Sequence, residues 1–225
     1  MNSNQTLDRQ TQAGSPSRFE KRWRVVAVGL SNVWRFGDLE LPAKSGRLLL
    51  RGPNGTGKTT ALEALVPYLL DLNPARMSAG KARMTNLSTL MREGAAGKRR
   101  CGYAWLTLAG PEDGTWSFGV RIHYSEGASP PVRVLPFAVP GRPLLDLKLY
   151  GAARAALTPE QFLAAVSSCG GQLFLAEEDY VSHLAARLFG TADREAIATL
   201  ASRLRQVRNP ALLSDLSPQA AADAR

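Results

Sequence analysis

The sequence of 225 residues predicts an α/β fold, and two observations carry that prediction. A glycine-rich turn at residues 52–60 stands between an apolar run that ends at Leu50 and another that begins at Ala61. Further along, stretches of alternating apolar and polar residues predict antiparallel strands, and the last third of the chain places apolar residues at helical spacing. The expected order is therefore a βα unit, an antiparallel β portion and C-terminal helices.

The glycine-rich turn matches the phosphate-binding P-loop motif G-x-x-x-x-G-K-[ST], in the strand–turn–helix setting that the motif requires. Its glycines allow successive backbone N–H groups to face the phosphates, and the following helix adds its N-terminal dipole. Lys58 is expected to reach the β- and γ-phosphates, and the Thr59 hydroxyl to hold Mg²⁺. The residues predicted to bind a nucleoside triphosphate are Gly52, Pro53, Asn54, Gly55, Thr56, Gly57, Lys58, Thr59 and Thr60.

The helix after the P-loop is apolar nearly all round from Ala61 to Leu70, with Glu63 as its one charged residue. A helix of this composition is expected to be buried on every side. Pro67 interrupts it, which predicts a kink or the end of the regular helix at that point, because proline removes a hydrogen bond and clashes with the preceding turn.

Short strands are expected at 24–30 and 39–41, before a strand at 47–51 that enters the P-loop. Trp34 and Arg35 lie on the turn between the first two strands. An aromatic ring or a guanidinium at this place can stack on adenine, or it can pack against the protein itself, and the sequence leaves both alternatives open.

A hairpin is predicted downstream, because alternating stretches at 101–108 and 115–124 flank the turn residues 110–114. Two further short strands are expected at 131–138 and 144–150. These four strands follow the P-loop helix without another helical pattern between them, so they are expected to form the antiparallel portion of the fold.

The remaining elements are mostly helical. Thr158 and Gln161 have the spacing of a capping box around Pro159, which predicts the start of a helix. A short strand at 172–175 and two amphipathic helices follow, of which the first is expected to stop at Gly190 and the second to end before residue 209.

The chain is basic, with a formal net charge of +9. Much of the excess lies at residues 76–100, where seven basic residues stand against one acidic residue. Such a block beside a nucleotide site predicts a polyanionic partner, namely DNA contacted by Lys98, Arg99 and Arg100. A solvated loop that only aids solubility is the alternative that charge alone leaves open.

No apolar run approaches the ~20 residues that span a bilayer, and no signal-peptide core follows the start. Cys101 and Cys169 have no metal-ligand spacing and are expected to be free thiols, which suits a reducing compartment. We therefore expect a soluble cytoplasmic protein that contacts no membrane. Residues 1–18 are polar and are expected to form a disordered leader.

Hydrolysis needs more than a P-loop, because an Asp at a strand end and a Glu that polarises water must complete the site. Residues 173–179 offer one candidate, although acidic residues at a helix N-terminus explain the same pattern. Residues 168–172, Ser-Cys-Gly-Gly-Gln, are similar to the signature of ABC-type ATPases, but they abut the acidic stretch instead of preceding it by a helix. Neither motif is interpreted as catalytic, so the catalytic residues stay unassigned.

With these residues in place, the sequence resembles the N-terminal head segment of SMC-like ABC ATPases, and in particular the MukB-like ATPase subunits of Wadjet plasmid-defence condensins. The matching stretches besides the P-loop are 29–36, 46–51, 61–63, 65–71, 103–106, Tyr180, 188–190 and 204–210. The resemblance covers most of residues 22–217. It implies the N-terminal half of an ATPase head at 19–216, after the polar leader at 1–18. Ser217 and Pro218 predict the start of a further, truncated helix at 217–225, which the resemblance makes a possible coiled-coil entry.

The resemblance implies a P-loop NTPase fold of the ABC/SMC head type, with ATP and Mg²⁺ held by residues 52–60. It also implies a long coiled coil after this segment and a C-terminal head half that carries signature and acidic motifs. Two heads sandwich two ATPs, and the assembly acts on plasmid DNA with kleisin-type and nuclease partners. ATP hydrolysis then requires the C-terminal head half or a second head, and Gln172 is a candidate Mg²⁺ ligand.

Two other functions remain open at the level of sequence. A self-contained P-loop NTPase or kinase acting on a small molecule would carry the same P-loop, although residues 53–55 are typical of ABC and SMC loops. A degenerate remnant would be inactive, and its exposed strand edges would lead to aggregation.

Overall fold

The computed structural model describes residues 22–48, 65–77, 86–93, 97–110 and 114–207. They form a six-stranded antiparallel sheet with helices on both faces, which confirms the predicted α/β class, its antiparallel portion and its C-terminal helices. The leader at 1–18, the P-loop and the helix start at 217–225 lie outside the described residues. An antiparallel sheet is not by itself typical of a P-loop NTPase, so that finer assignment remains a proposal.

The strands are β1 (Arg24–Val33), β2 (Phe36–Pro42), β3 (Arg99–Ala109), β4 (Thr115–Ser125), β5 (Val132–Pro140) and β6 (Gln172–Leu173). Their order across the sheet is β2-β1-β3-β4-β5-β6. The predicted hairpin is confirmed as β3 and β4, which pair without a break from Arg99 opposite Ser125 to Ala109 opposite Thr115. Most of the predicted strands are therefore present, with ends that differ by a few residues.

The strand predicted at 144–150 is wrong. Residues 141–157, the covering segment, instead run over one face of the sheet and form isolated bridges within themselves. Leu147 and Leu149 of this segment are buried against the sheet. The alternation of apolar and polar residues therefore arises because some side chains of this segment contact a sheet face. A strand paired within the sheet would show the same sequence pattern.

The helices are α1 (Val66–Asp71), α2 (Leu87–Arg92), α3 (Pro159–Ser168), α4 (Glu177–Phe189) and α5 (Arg194–Val207). The capping box of α3 is confirmed, because the Gln161 N–H donates to Thr158 Oγ1 at 3.2 Å and the Thr158 N–H donates to Gln161 Oε1 at 3.0 Å. Gly190 ends α4 with a φ of 70°, as predicted. None of the described helices is long and apolar enough to cross a membrane.

Each face of the sheet carries its own core. On the first face, β1, β3 and β4 bury apolar side chains beneath α1, α2, α4 and α5. On the second face, Tyr103, Trp105 and Phe137 pack against Phe162 and Val166 of α3 and against the covering segment. Because side chains alternate along a strand, neighbouring residues of β3 lie in different cores.

Both edges of the sheet carry features that oppose further pairing. β6 covers only two residues of β5, but β5 contains Pro136 and Pro140, which have no N–H to donate to another strand. At the other edge, Asp38 and Glu40 of β2 form ion pairs with arginines of the covering segment. These features argue against the interpretation that bare strand edges would lead to aggregation.

Candidate functional site

The described element that lies nearest in sequence to the predicted P-loop is α1. It packs against β3, α4 and α5, and its residues Val66 to Leu70 are buried. The predicted burial on every side is therefore confirmed for this part of the helix. Pro67 lies in the first turn of α1, which continues to Asp71, so the helix does not end at the proline. Leu65, directly before α1, also has helical backbone angles, with a φ of −80° and a ψ of −41°.

Two polar contacts fix α1 against the later helices. The Tyr180 hydroxyl of α4 donates to the Leu69 carbonyl at 2.7 Å, and burial raises the pKa of Tyr180 far above its usual range, so it stays a donor. The Arg205 guanidinium of α5 donates to both carboxylate oxygens of Asp71, at 2.7 and 2.8 Å. These two side chains are 11% and 6% exposed, respectively. Contacts with α4 and α5 thus help to set the position of the helix that follows the predicted P-loop.

The turn between β1 and β2 carries Trp34 and Arg35, the residues considered for adenine stacking. The Trp34 indole N–H donates to Glu93 Oε2 at 2.9 Å, and its ring meets Phe36 edge-on with the ring centres 5.5 Å apart. The Arg35 guanidinium lies over the Trp34 ring at 5.3 Å. This geometry confirms the packing interpretation of Trp34, since its ring covers part of the first-face core.

The three consecutive basic residues predicted to contact nucleic acid do not share one surface. Lys98 and Arg99 are exposed, whereas strand alternation turns Arg100 toward the first face. Burial lowers the pKa of Arg100. Its guanidinium donates to four acceptors of the chain itself, which are Trp34 O at 2.6 Å, Asn32 Oδ1 at 3.1 Å, and Met91 O and Glu93 O at 3.2 Å. We therefore restrict the predicted DNA contact to Lys98 and Arg99.

Replacing Arg100 with glutamine is expected to lower the free energy of unfolding by about 2–3 kcal/mol, because several partly buried carbonyls lose their donor. Urea unfolding followed by circular dichroism measures the change. The matched control is Lys98→Gln, an exposed neighbour whose change is expected to stay within about 0.5 kcal/mol. Equal losses in the two variants would contradict the structural role of Arg100.

No protein-family model and no curated protein matches this chain. Within the described ranges, no group of three or more His, Cys, Asp or Glu side chains is placed to hold a metal ion. Thr59, the predicted Mg²⁺ ligand, lies outside those ranges with the rest of the P-loop, whereas Cys101 and Cys169 are free thiols, as expected.

The glycine-rich and acidic motifs around residue 170 have structural roles. Gly170 follows α3 with a φ of 76°, and a Cβ on Gly171 would lie 2.5 Å from Val139 Cγ1. Residues 177–179 form the acidic first turn of α4, where they complement the helix dipole. Both motifs thus have local explanations that do not require catalysis. Gln172 is exposed on the short strand β6.

A cationic cleft on the second face, the second-face cleft, was not anticipated from the sequence. It encloses about 220 Å³ and is lined mainly by Arg99, His123, Ser125 and Arg133, with Pro130 and Pro131 at one wall. The lining side chains come from β3, β4 and β5, so no local run of basic residues marks the cluster. The cleft could have been predicted only from the placement of Arg99, His123 and Arg133 on one face of the sheet, and that placement requires knowledge of the strand register.

A second cationic cleft, the edge cleft, lies where β1 begins and β2 ends. It encloses about 570 Å³ and is lined by Arg22, Trp23, Arg24, Lys44, Ser45 and Arg47. Arg24 pairs with Ala109 at the far end of β3 from Arg99, so the two clefts lie at opposite ends of the sheet. Arg47 also precedes the P-loop closely in sequence, which connects this cleft to the segment that enters the predicted nucleotide site.

The two histidines of the chain predict a pH dependence of stability. Burial lowers the pKa of both His123 and His183, with nearby arginines lowering it further, relative to the ordinary value of 6.5. The unfolded chain therefore takes up protons before the folded chain does, and the free energy of unfolding is expected to fall as the pH drops below about 6.5. Stability should be regained in full above that value.

Urea unfolding between about pH 5 and pH 7 tests this expectation, with a fall of at most about 1.4 kcal/mol per pH unit for each histidine. The variant His123→Gln/His183→Gln removes both groups and should show a flatter profile across the same range. A profile of unchanged slope in this double variant would show that other groups titrate. The lowered pKa of Asp38, caused mainly by its hydrogen bond from Arg154, acts at lower pH and does not interfere.

Proposed function

We propose that this chain is the ATP-binding head segment of an SMC-like ATPase that acts on DNA, in the manner of the plasmid-defence condensins that it resembles. The observation that carries the proposal is the P-loop sequence at 52–60, which leads into a helix whose described part is buried on every side. Phosphate binding at a helix N-terminus depends on preorganised N–H groups, and contacts of α1 with α4 and α5 support such preorganisation.

In this proposal, residues 52–60 cradle the phosphates, Lys58 contacts the β- and γ-phosphates, and Thr59 binds Mg²⁺. The motifs around residue 170 have structural roles within this chain. Hydrolysis is therefore assigned to a composite site, in which a C-terminal head half or a second head supplies the signature and acidic residues. Kleisin-type and nuclease partners belong to the same proposal.

The DNA part of the proposal draws its support from the two clefts. The lining of the edge cleft includes three arginines and a lysine, that of the second-face cleft includes two arginines and a histidine, and neither lining includes a carboxylate among the described residues. Clusters of this kind attract the phosphate backbone of nucleic acids through a salt-dependent electrostatic term. Lys98 and Arg99 are the predicted contacts that remain exposed.

The experiment that tests the ATPase proposal compares binding with turnover. We expect the purified chain to bind Mg-ATP and to show negligible phosphate release, and we expect co-expression with the C-terminal head half to restore hydrolysis. Calorimetric titration and a phosphate-release assay measure the two quantities. Rapid turnover by the chain alone, or phosphoryl transfer to a small molecule, would favour the self-contained NTPase or kinase.

A further inference from the structure

We propose that the second-face cleft binds a phosphate oxyanion between Arg99, His123 and Arg133. The inference rests on the proposed function in one respect, namely that the phosphate belongs to the backbone of DNA. It goes beyond that function by assigning the contact to residues of β4 and β5 that no local sequence pattern marked.

Strand register brings these side chains together. His123 of β4 lies directly opposite Arg133 of β5, and Arg99 of β3 lies opposite Ser125 of β4. All of them are on the second face, and directly opposite side chains in an antiparallel pair are about 5 Å apart at Cβ. Donors from three adjacent strands therefore converge on one cleft.

The size of the cleft favours a single anionic group. Its volume of about 220 Å³ is smaller than the roughly 300–1,000 Å³ of pockets that enclose whole small-molecule ligands. Arg99 and Arg133 are both exposed, so a phosphate that belongs to a long polymer can reach them from solvent. The cleft thus suits one phosphate of a backbone better than a complete nucleotide.

The charges around the cleft are only partly balanced by described residues: Glu160 of α3 lies near enough to Arg121 for the arginine's charge to help lower the pKa of the Glu160 carboxyl. Arg121, two residues before His123 on the same face, is 7% exposed; its Nη2 donates to Leu157 O at 2.7 Å, and its Nε has no hydrogen-bond partner. No described carboxylate forms an ion pair with Arg99, Arg121 or Arg133. Like charges placed together in a sheet are destabilising, and a buried charge without a partner is costly. A bound anion would relieve the repulsion among the arginines that line the cleft, although Arg121 itself lies behind the lining.

The electrostatic effect of this cluster is felt at His123. Burial is the largest cause of the lowered pKa of His123, and the charges of Arg121, Arg99 and Arg133 lower it further. At neutral pH the imidazole is therefore mostly uncharged and can donate one N–H bond, while the arginines supply charge and paired donors to the phosphate oxygens. Occupancy by an anion would offset the repulsion and raise the pKa of His123.

The first test measures DNA binding by the full chain. With a fluorescent mixed-sequence duplex, we expect Arg133→Gln to weaken binding roughly five- to tenfold at about 0.1 M salt and to lower the slope of log affinity against log salt by about 1. The matched control is Arg203→Gln, an exposed arginine of α5 on the first face, which should change neither quantity. Unchanged DNA binding in Arg133→Gln, or an equal loss in Arg203→Gln, would overturn the inference.

The second test uses inorganic phosphate and the two histidines as probes. We expect phosphate to raise the pKa of His123, followed by NMR, and to leave His183 on the first face unaffected; the shift should shrink in Arg133→Gln. A shift with phosphate but no binding of the duplex would support the site and reject DNA as its carrier. If the chain shows neither binding of the duplex nor a phosphate-induced shift in the pKa of His123, the inference is overturned entirely.

Mg-ATP binding measured on the same variants separates this inference from the proposed function. Arg133→Gln should bind Mg-ATP like the unaltered chain, because the cleft is not part of the P-loop. If DNA binding is found but does not depend on Arg133, the inference fails and the ATPase proposal stands. If Mg-ATP does not bind, the ATPase proposal fails and the phosphate shift at His123 still decides the cleft.

Discussion

Replacing Lys58 with alanine is expected to weaken binding of Mg-ATP by roughly 30- to 150-fold. A charge-assisted hydrogen bond to the phosphates contributes about 2–3 kcal/mol, and every 1.4 kcal/mol corresponds to about a factor of ten in affinity. Isothermal titration calorimetry with Mg-ATP measures the change directly. The substitution removes the point charge and keeps the glycines, so the loop retains its backbone freedom.

Lys148→Ala is the matched control for this experiment. Lys148 is an exposed lysine of the covering segment, and its removal subtracts the same charge from the chain without touching the predicted nucleotide site. We expect this variant to bind Mg-ATP like the unaltered chain. If Lys58→Ala also binds normally, the glycine-rich turn does not act as a P-loop and the proposed function must be abandoned.

Replacing Asp71 with alanine is expected to lower the free energy of unfolding by about 3–5 kcal/mol, because the change leaves the nearly buried charge of Arg205 without its partner. In a chain of this size the melting temperature should fall by roughly 2–4 °C for each kcal/mol. Thermal unfolding followed by circular dichroism measures the shift. The effect should be large because both hydrogen bonds join α1 to α5.

Two controls separate the loss of the ion pair from a general effect of mutation. Asp71→Leu combined with Arg205→Met replaces both charges with apolar groups and should recover most of the lost stability. Arg154→Ala removes an arginine that is 57% exposed and pairs with Asp38, so it should cost no more than about 1 kcal/mol. A loss as large as that of Asp71→Ala would contradict the importance of burial.

Elements set by local interactions were predictable from the sequence. The capping box at Thr158 and Gln161 and the stop at Gly190 depend on residues a few positions apart, and both are present in the structure. The β3–β4 hairpin likewise follows from alternation on each side of one turn. The segment 144–150 shows the limit of such reasoning, because alternation does not distinguish a strand in the sheet from a segment that lies across it.

The candidate site residues also differ in how far the sequence alone could predict them. The predicted P-loop is contiguous, so residues 52–60 could be proposed entirely from the sequence. The basic run Lys98 to Arg100 is contiguous too, but a strand places Arg99 and Arg100 on opposite faces. Arg99 instead joins Arg133, and only the register of three strands shows that these two residues line the same cleft.

The pairing of β1 with β3 has a consequence for how the chain reaches its folded state. β1–β2 and β3–β4–β5 are built from neighbouring strands, whereas residues 43–98 lie between β2 and β3. Closing a long loop costs more chain entropy than closing a hairpin, so we expect the two local units to form first and to join afterward. The loop closed by that slower step contains the predicted P-loop, so we expect Mg-ATP binding to appear no earlier than the pairing of β1 with β3.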